Sequence, residues 1–184
     1  MRALMLGLAL AASVSPALAA GFAVTTPDFA NGGTIAPAQV FNGNACNGQN
    51  RSPALSWSGE PAGTQSFAVT IFDPDAPTGR GWWHWSVFNI PPGVHRLAAD
   101  AGAAGSRRLP AGAAQGRSDF GFSHYGGPCP PVGDPPHHYQ ITVYALKVAT
   151  LPLDENASGA TVAAALRAAT LATARVVGLY GRPN

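Results

Sequence analysis

Three runs of this chain alternate with period two, and that alternation restricts the fold before any motif is considered. In Ser66–Phe72, Phe67, Val69 and Ile71 share one face of an extended chain while Ala68, Thr70 and Phe72 share the other. In His84–Ile90, the residues His84, Ser86, Phe88 and Ile90 share a face, and Pro91-Pro92-Gly93 ends the run. His138–Leu146 alternates too, which sends His137 and Tyr139 to the side of Ile141 and Val143, and His138 to the side of Gln140 and Thr142. Of two adjacent histidines, only His137 is expected to face inward. Val40-Phe41, Ala54–Trp57 and Val176–Tyr180 read as shorter strands. One helix is expected, over Ala160–Ala172, behind the capping residues of Asp154–Ser158. Residues Ala98–Asp119 lack periodicity and read as a long irregular loop of the kind that often frames a site. Several strands and one late helix make a mainly β chain, and two packed sheets are the natural way to bury the alternating faces.

The polar residues concentrate where two of these strands end. Asp73-Pro74-Asp75-Ala76-Pro77 follows the first run and leads into Gly81-Trp82-Trp83-His84-Trp85. Proline fixes φ, so the carboxylates sit in a stiff turn at a strand end. A second proline-rich segment, Gly127–Pro136, runs into His137-His138-Tyr139. Taken singly, His84 reads as a core or edge histidine, Asp73 and Asp75 as turn-formers, and the tryptophans as core or pocket wall. His95 and His124 receive no role from their spacing.

Residues 1–20 read as a cleaved secretory signal: Met1-Arg2, an apolar run from Ala3 to Val14, and Ala17-Leu18-Ala19 as the small-x-small site. The apolar run is shorter than the roughly 20 residues a membrane-spanning helix needs, so no transmembrane anchor is expected after cleavage. Residues 21–184 then form one domain, exported to a periplasm or beyond it. In an oxidising compartment Cys46 and Cys129 are most simply paired, with free buried thiols as the alternative. The basic residues are scattered and the net charge is only +2, so the clustered footprint of a nucleic-acid binder is missing.

With these residues in view, the chain resembles the phosphatidylethanolamine-binding protein family, also called the Raf kinase inhibitor protein family, and its bacterial branch most closely. The resemblance is carried by Ser52-Pro53-Ala54-Leu55-Ser56-Trp57, Asp73-Pro74-Asp75-Ala76-Pro77 with Trp82-Trp83-His84-Trp85, and Gly127-Pro128-Cys129-Pro130-Pro131 leading to His137-His138-Tyr139. It implies a Greek-key β-sandwich of two antiparallel sheets with one C-terminal helix, and a pocket for small anions including phosphate-bearing head groups. The family's pocket residues fall on Asp73, His84, His137, Tyr139, Tyr125, Pro130 and Pro131, with Asp75 and Trp82 near them. Two departures matter. His138 stands where the family often has Arg, and the helix that covers the pocket in eukaryotic members has no counterpart beyond Ala160–Ala172. Kinase inhibition, a role of eukaryotic members, does not carry over.

Chemistry agrees with a pocket for anions, since two imidazoles and a phenol can donate while an aspartate fixes one imidazole tautomer. The expected function is therefore an exported binding or regulatory protein for a phosphate, a carboxylate or a phosphorylated head group, with no cofactor, no metal and no catalytic residue. Two alternatives belong to other classes. One is a hydrolase in which Asp73 orients a histidine base, or in which His84, His137 and Asp73 hold a metal. No Gly-x-Ser-x-Gly elbow or His-x-x-x-His spacing supports it. The other is a factor acting on an unidentified protein partner, such as a protease inhibitor.

Overall fold

The structure, a computed structural model, describes residues 21–184; the expected signal segment lies outside them. Nine strands and one helix follow in the order β1 (Ala23–Thr25), β2 (Gly33–Thr34), β3 (Leu55–Ser58), β4 (Ser66–Asp73), β5 (Trp82–Ile90), β6 (Arg96–Leu97), β7 (Ala114–Gln115), β8 (His137–Leu146), α1 (Gly159–Ala169) and β9 (Thr170–Tyr180). They form a three-stranded sheet, β1-β3-β6, and a six-stranded sheet, β2-β9-β8-β4-β5-β7. Pairing is antiparallel throughout except between β2 and β9, where Gly33 and Thr34 run parallel to Gly178 and Leu179.

The alternating faces are buried on both sides of the large sheet. Phe67, Val69, Ile71, Ile141 and Val143 meet Leu55, Trp57 and Leu97 between the sheets. On the opposite side Ala68, Phe88 and Leu146 meet Val162 and Leu166 of α1. Ser158 caps α1 by accepting from the Thr161 amide. The helix starts hard against Trp83, and a Cβ at Gly159 would come within 2.2 Å of that indole.

Several expectations change in the structure. The helix stops at Ala169 and not at Ala172, because Thr170 and Ala172 pair with Leu146 and Ala145 of β8. Strand pairing overrides the helical propensity of the alanines. The last strand is thus eleven residues long, well beyond Val176–Tyr180. Val40-Phe41 is no strand; its backbone groups bond to Pro37, Gly48, Asn50 and Pro128 in a knot of turns. That knot is tied to the proline-rich segment by the disulfide between Cys46 and Cys129, which spans 83 positions of sequence.

The face expected for His84 also changes. Along β5, Ile71 pairs with Trp85 but Phe72 pairs with Trp83, so His84 is an extra residue in the strand. Such a bulge re-aims side chains. A second extra residue falls before Ile90, where Asn89 takes a left-handed φ of 60°. Ser86 and Phe88 accordingly face away from the sheet-to-sheet core, with Phe88 in the cluster under α1, while Ile90 lies in that core and His84 turns toward Tyr139.

Candidate functional site

Antiparallel pairing of β4 with β8 brings the end of one strand to the start of the other, with Phe72 opposite Gln140. Asp73 and His137 thereby meet at the sheet edge. Nδ1 of His137 donates to Asp73 Oδ2 at 2.8 Å, and both side chains are almost completely buried. The other Asp73 oxygen accepts the Asp75 amide at 2.9 Å, the hydrogen bond that closes the Asp-Pro turn. The remaining nitrogen of His137, Nε2, faces Asp134 Oδ2 at 3.4 Å.

His84 enters from the bulge in β5. Its Nδ1 lies 2.7 Å from the Gly126 carbonyl, and a carbonyl can only accept, so Nδ1 carries the proton. Among the described residues, Nε2 has no hydrogen-bond partner. Burial pushes the imidazole below its ordinary pKa, against the opposing pull of the Gly126 carbonyl and Asp73, so the ring is held neutral with Nε2 as an acceptor. Tyr139 packs edge-on to His84, with ring centroids 5.1 Å apart, and its buried hydroxyl has no hydrogen-bond partner among the described residues. Burial, reinforced by Asp73, pushes that phenol above its ordinary pKa, so it remains a donor.

These groups line a cavity of about 230 Å³. Asp73, His84, His137 and Tyr139 are in its wall, together with Trp82, Pro130 and Pro131 as expected from the sequence. Trp82 packs edge-on to Phe120, a wall residue delivered by the end of the long loop. The segment turns there because Asp119 accepts the Trp83 amide at 2.9 Å. Among the described residues, no Arg or Lys lines the cavity. A larger depression of about 460 Å³ lies beyond the Asp134 loop, lined by Asp134, Tyr180 and Arg182.

Two expected residues lie elsewhere. Tyr125 is inside the core beside Trp85, with its hydroxyl donated to the Gln39 carbonyl at 2.8 Å, and it does not reach the cavity. Asp75 faces outward and accepts from both the backbone amide and the ring of His138, so it too is absent from the wall. The expectation that both imidazoles donate to an anion needs correction at His84, because Nδ1–H of each ring is already bonded within the protein and Nε2 of the neutral His84 ring is an acceptor. Sequence reading missed Asn44, Thr78 and Phe120 in the wall and Asp134 at His137. All four come from loops, where no periodicity reports direction. The disulfide holds Asn44 beside Cys129 and Pro130 in one wall.

The Thr78 hydroxyl is donated to the Gly81 carbonyl at 2.7 Å, and the Cys129 sulfur is in the disulfide, so neither wall residue is a free nucleophile. Among the described residues no three His, Cys, Asp or Glu side chains are grouped to hold a metal ion. None of the described helices is long and apolar enough to cross a membrane.

Comparison with known proteins gives a consistent picture. A family model described as phosphatidylethanolamine-binding protein matches residues 25–181. The UPF0098 protein YbcL of Escherichia coli is 51% identical over 180 residues, covering 98% of each chain. Its crystal structure, described as that of a new member of the mammalian PEBP family, superposes with a TM-score of 0.87 at 52% identity over 88% of this chain and 99% of that one. YbhB of Escherichia coli is 43% identical over 83% of this chain and 96% of its own. A relative named as lipoprotein LppC of Mycobacterium tuberculosis is 38% identical over 85% of this chain and 71% of its own.

Proposed function

The chain belongs to the phosphatidylethanolamine-binding protein family, and on that premise we propose that it is an exported binding protein whose cavity holds a small anion, a phosphate or a carboxylate, free or on a head group. Proteins of this family are generally binders and not enzymes. The observation that carries the reading is the hydroxyl of Tyr139, buried without a partner among the described residues, in a residue that lines the cavity beside two imidazoles of fixed orientation. A buried donor left unpaired costs about 1–3 kcal/mol, and an anion oxygen would remove that cost.

Export is supported by the signal-like residues 1–20, by a disulfide that suits an oxidising compartment, and by a relative named as a lipoprotein. Calorimetric titration with inorganic phosphate and with acetate tests the binding reading. Tyr139→Phe should weaken binding by about 10-fold, the loss of one hydrogen bond to a charged group. Absence of heat with either anion, at millimolar protein and ligand, rejects the proposal.

A further inference from the structure

The hydrogen-bonding character of the cavity is unusual for an anion site, because its carboxylate and the free nitrogen of its neutral His84 ring are acceptors. Nδ1–H of His84 is committed to the Gly126 carbonyl, which makes Nε2 of the neutral ring an acceptor. Nδ1–H of His137 is committed to Asp73, and Nε2 faces the Asp134 carboxylate. Asp73 itself can only accept. With no Arg or Lys in the wall among the described residues, the donors left for a ligand are neutral: the Tyr139 hydroxyl, the Asn44 amide and the Trp82 indole N–H. A fully deprotonated tetrahedral anion also has only acceptors, and it would set lone pairs against lone pairs at His84.

From this geometry, and resting on the binding reading above, we infer that the cavity selects a ligand that brings its own proton: inorganic phosphate or a phosphate monoester retaining a P–O–H, in preference to sulfate or a phosphodiester. The P–O–H donates to Nε2 of His84, and another phosphate oxygen accepts from Tyr139. Such complementarity is the source of large discrimination, since a site built around a hydrogen bond is left with unpaired groups by an analogue that lacks it. Burial of His84 keeps the acceptor form in place at neutral pH, even though Asp73 from β4 and Asp119 from the loop pull the other way. His137 and Tyr139, from β8, are the other titratable groups facing it.

Calorimetry on the intact mature protein separates the possibilities. At pH 7, phosphate carries at least one proton and sulfate none, so phosphate should bind about 100-fold more tightly or better. Methyl phosphate, whose second proton leaves near about pH 6, should bind more tightly at pH 5.5 than at pH 7.5. Dimethyl phosphate, a diester like the linkage in an intact phospholipid, should fail at both pH values. That arm separates a free phosphate or monoester from a lipid head group. Histidine-labelled protein should show His84 as the Nδ1–H tautomer by ¹⁵N NMR, with Nε2 shifting when phosphate is added. Sulfate or dimethyl phosphate binding as tightly as its phosphate counterpart, or a His84 ring protonated at Nε2, overturns this inference and leaves the anion-binding reading standing. Failure of phosphate, methyl phosphate, sulfate and acetate alike overturns both.

Discussion

The six-stranded sheet builds the same acid–base pair twice, once on each face. Asp73 with His137 and Asp75 with His138 both bring a carboxylate oxygen to within 2.8 Å of an imidazole Nδ1. The inner side chains are 4% and 5% exposed, and the outer ones 41% and 58%. Equal geometry therefore hides unequal energetics. Water competes for the outer pair and salt screens it, whereas the inner pair has given up its hydration and relies on the partner for compensation. Distance identifies such a pair, and burial decides what removing a partner costs.

The largest difference should appear in stability. Asp73→Ala strips both His137 Nδ1 and the Asp75 amide of their acceptor in a buried place, and should cost about 3–5 kcal/mol. Asp75→Ala should cost no more than about 1 kcal/mol, because water replaces what it loses. Urea unfolding of the two variants beside the parent measures both. Equal costs would break the comparison and make burial irrelevant to it.

Binding should show a smaller but equally lopsided effect. His137→Asn keeps an amide able to donate to Asp73 while removing the imidazole from the cavity wall, and should weaken phosphate binding by about 10-fold through lost positioning of the ligand. His138→Asn should leave the affinity within about 2-fold, since an exposed substitution away from the site is nearly neutral. Titration calorimetry with phosphate compares them. Matching losses would move the binding surface to the outer face.

The two faces also differ in how far they could be read from the chain. The register between β8 and β9 runs without interruption from His137 to Ala145, so counting by twos places His137 inside and His138 outside. On β5 the same counting fails, because extra residues at His84 and before Ile90 shift the phase twice. Asn89 gives a faint signal, being a residue tolerant of left-handed φ, but nothing in Trp83-His84-Trp85 marks a bulge. Resemblance put His84 in the pocket where periodicity alone grouped it with Ser86 and Phe88. For Tyr125 the resemblance pointed the wrong way: the Gln39 carbonyl, brought near by the disulfide-tied turns, takes its hydroxyl instead. Asp134 could not be anticipated at all, since its contact with His137 depends on the path of Pro135-Pro136 and not on any alternation.

The smallest effect concerns the outer pair and acid. Burial raises the Asp75 pKa, but the backbone amide of His138, then its ring and charge, together outweigh that, and the folded value lies below the ordinary 3.8. A carboxyl depressed on folding stabilises the protein above its unfolded pKa and loses that contribution as pH falls through the folded one. Asp75→Asn should therefore be slightly less stable than the parent at pH 7, and the gap should shrink as pH falls from about 4 toward 2. The amide outranks the ring among the lowering influences, which sharpens the contrast with the inner pair. In His138→Asn the backbone bond survives, so the Asp75 carboxyl should still titrate below its ordinary value, though less far below, in ¹³C NMR. A return to the ordinary value would mean that the ring, not the strand that carries it, holds the outer carboxylate, and that the two pairs differ less in kind than their burial suggests.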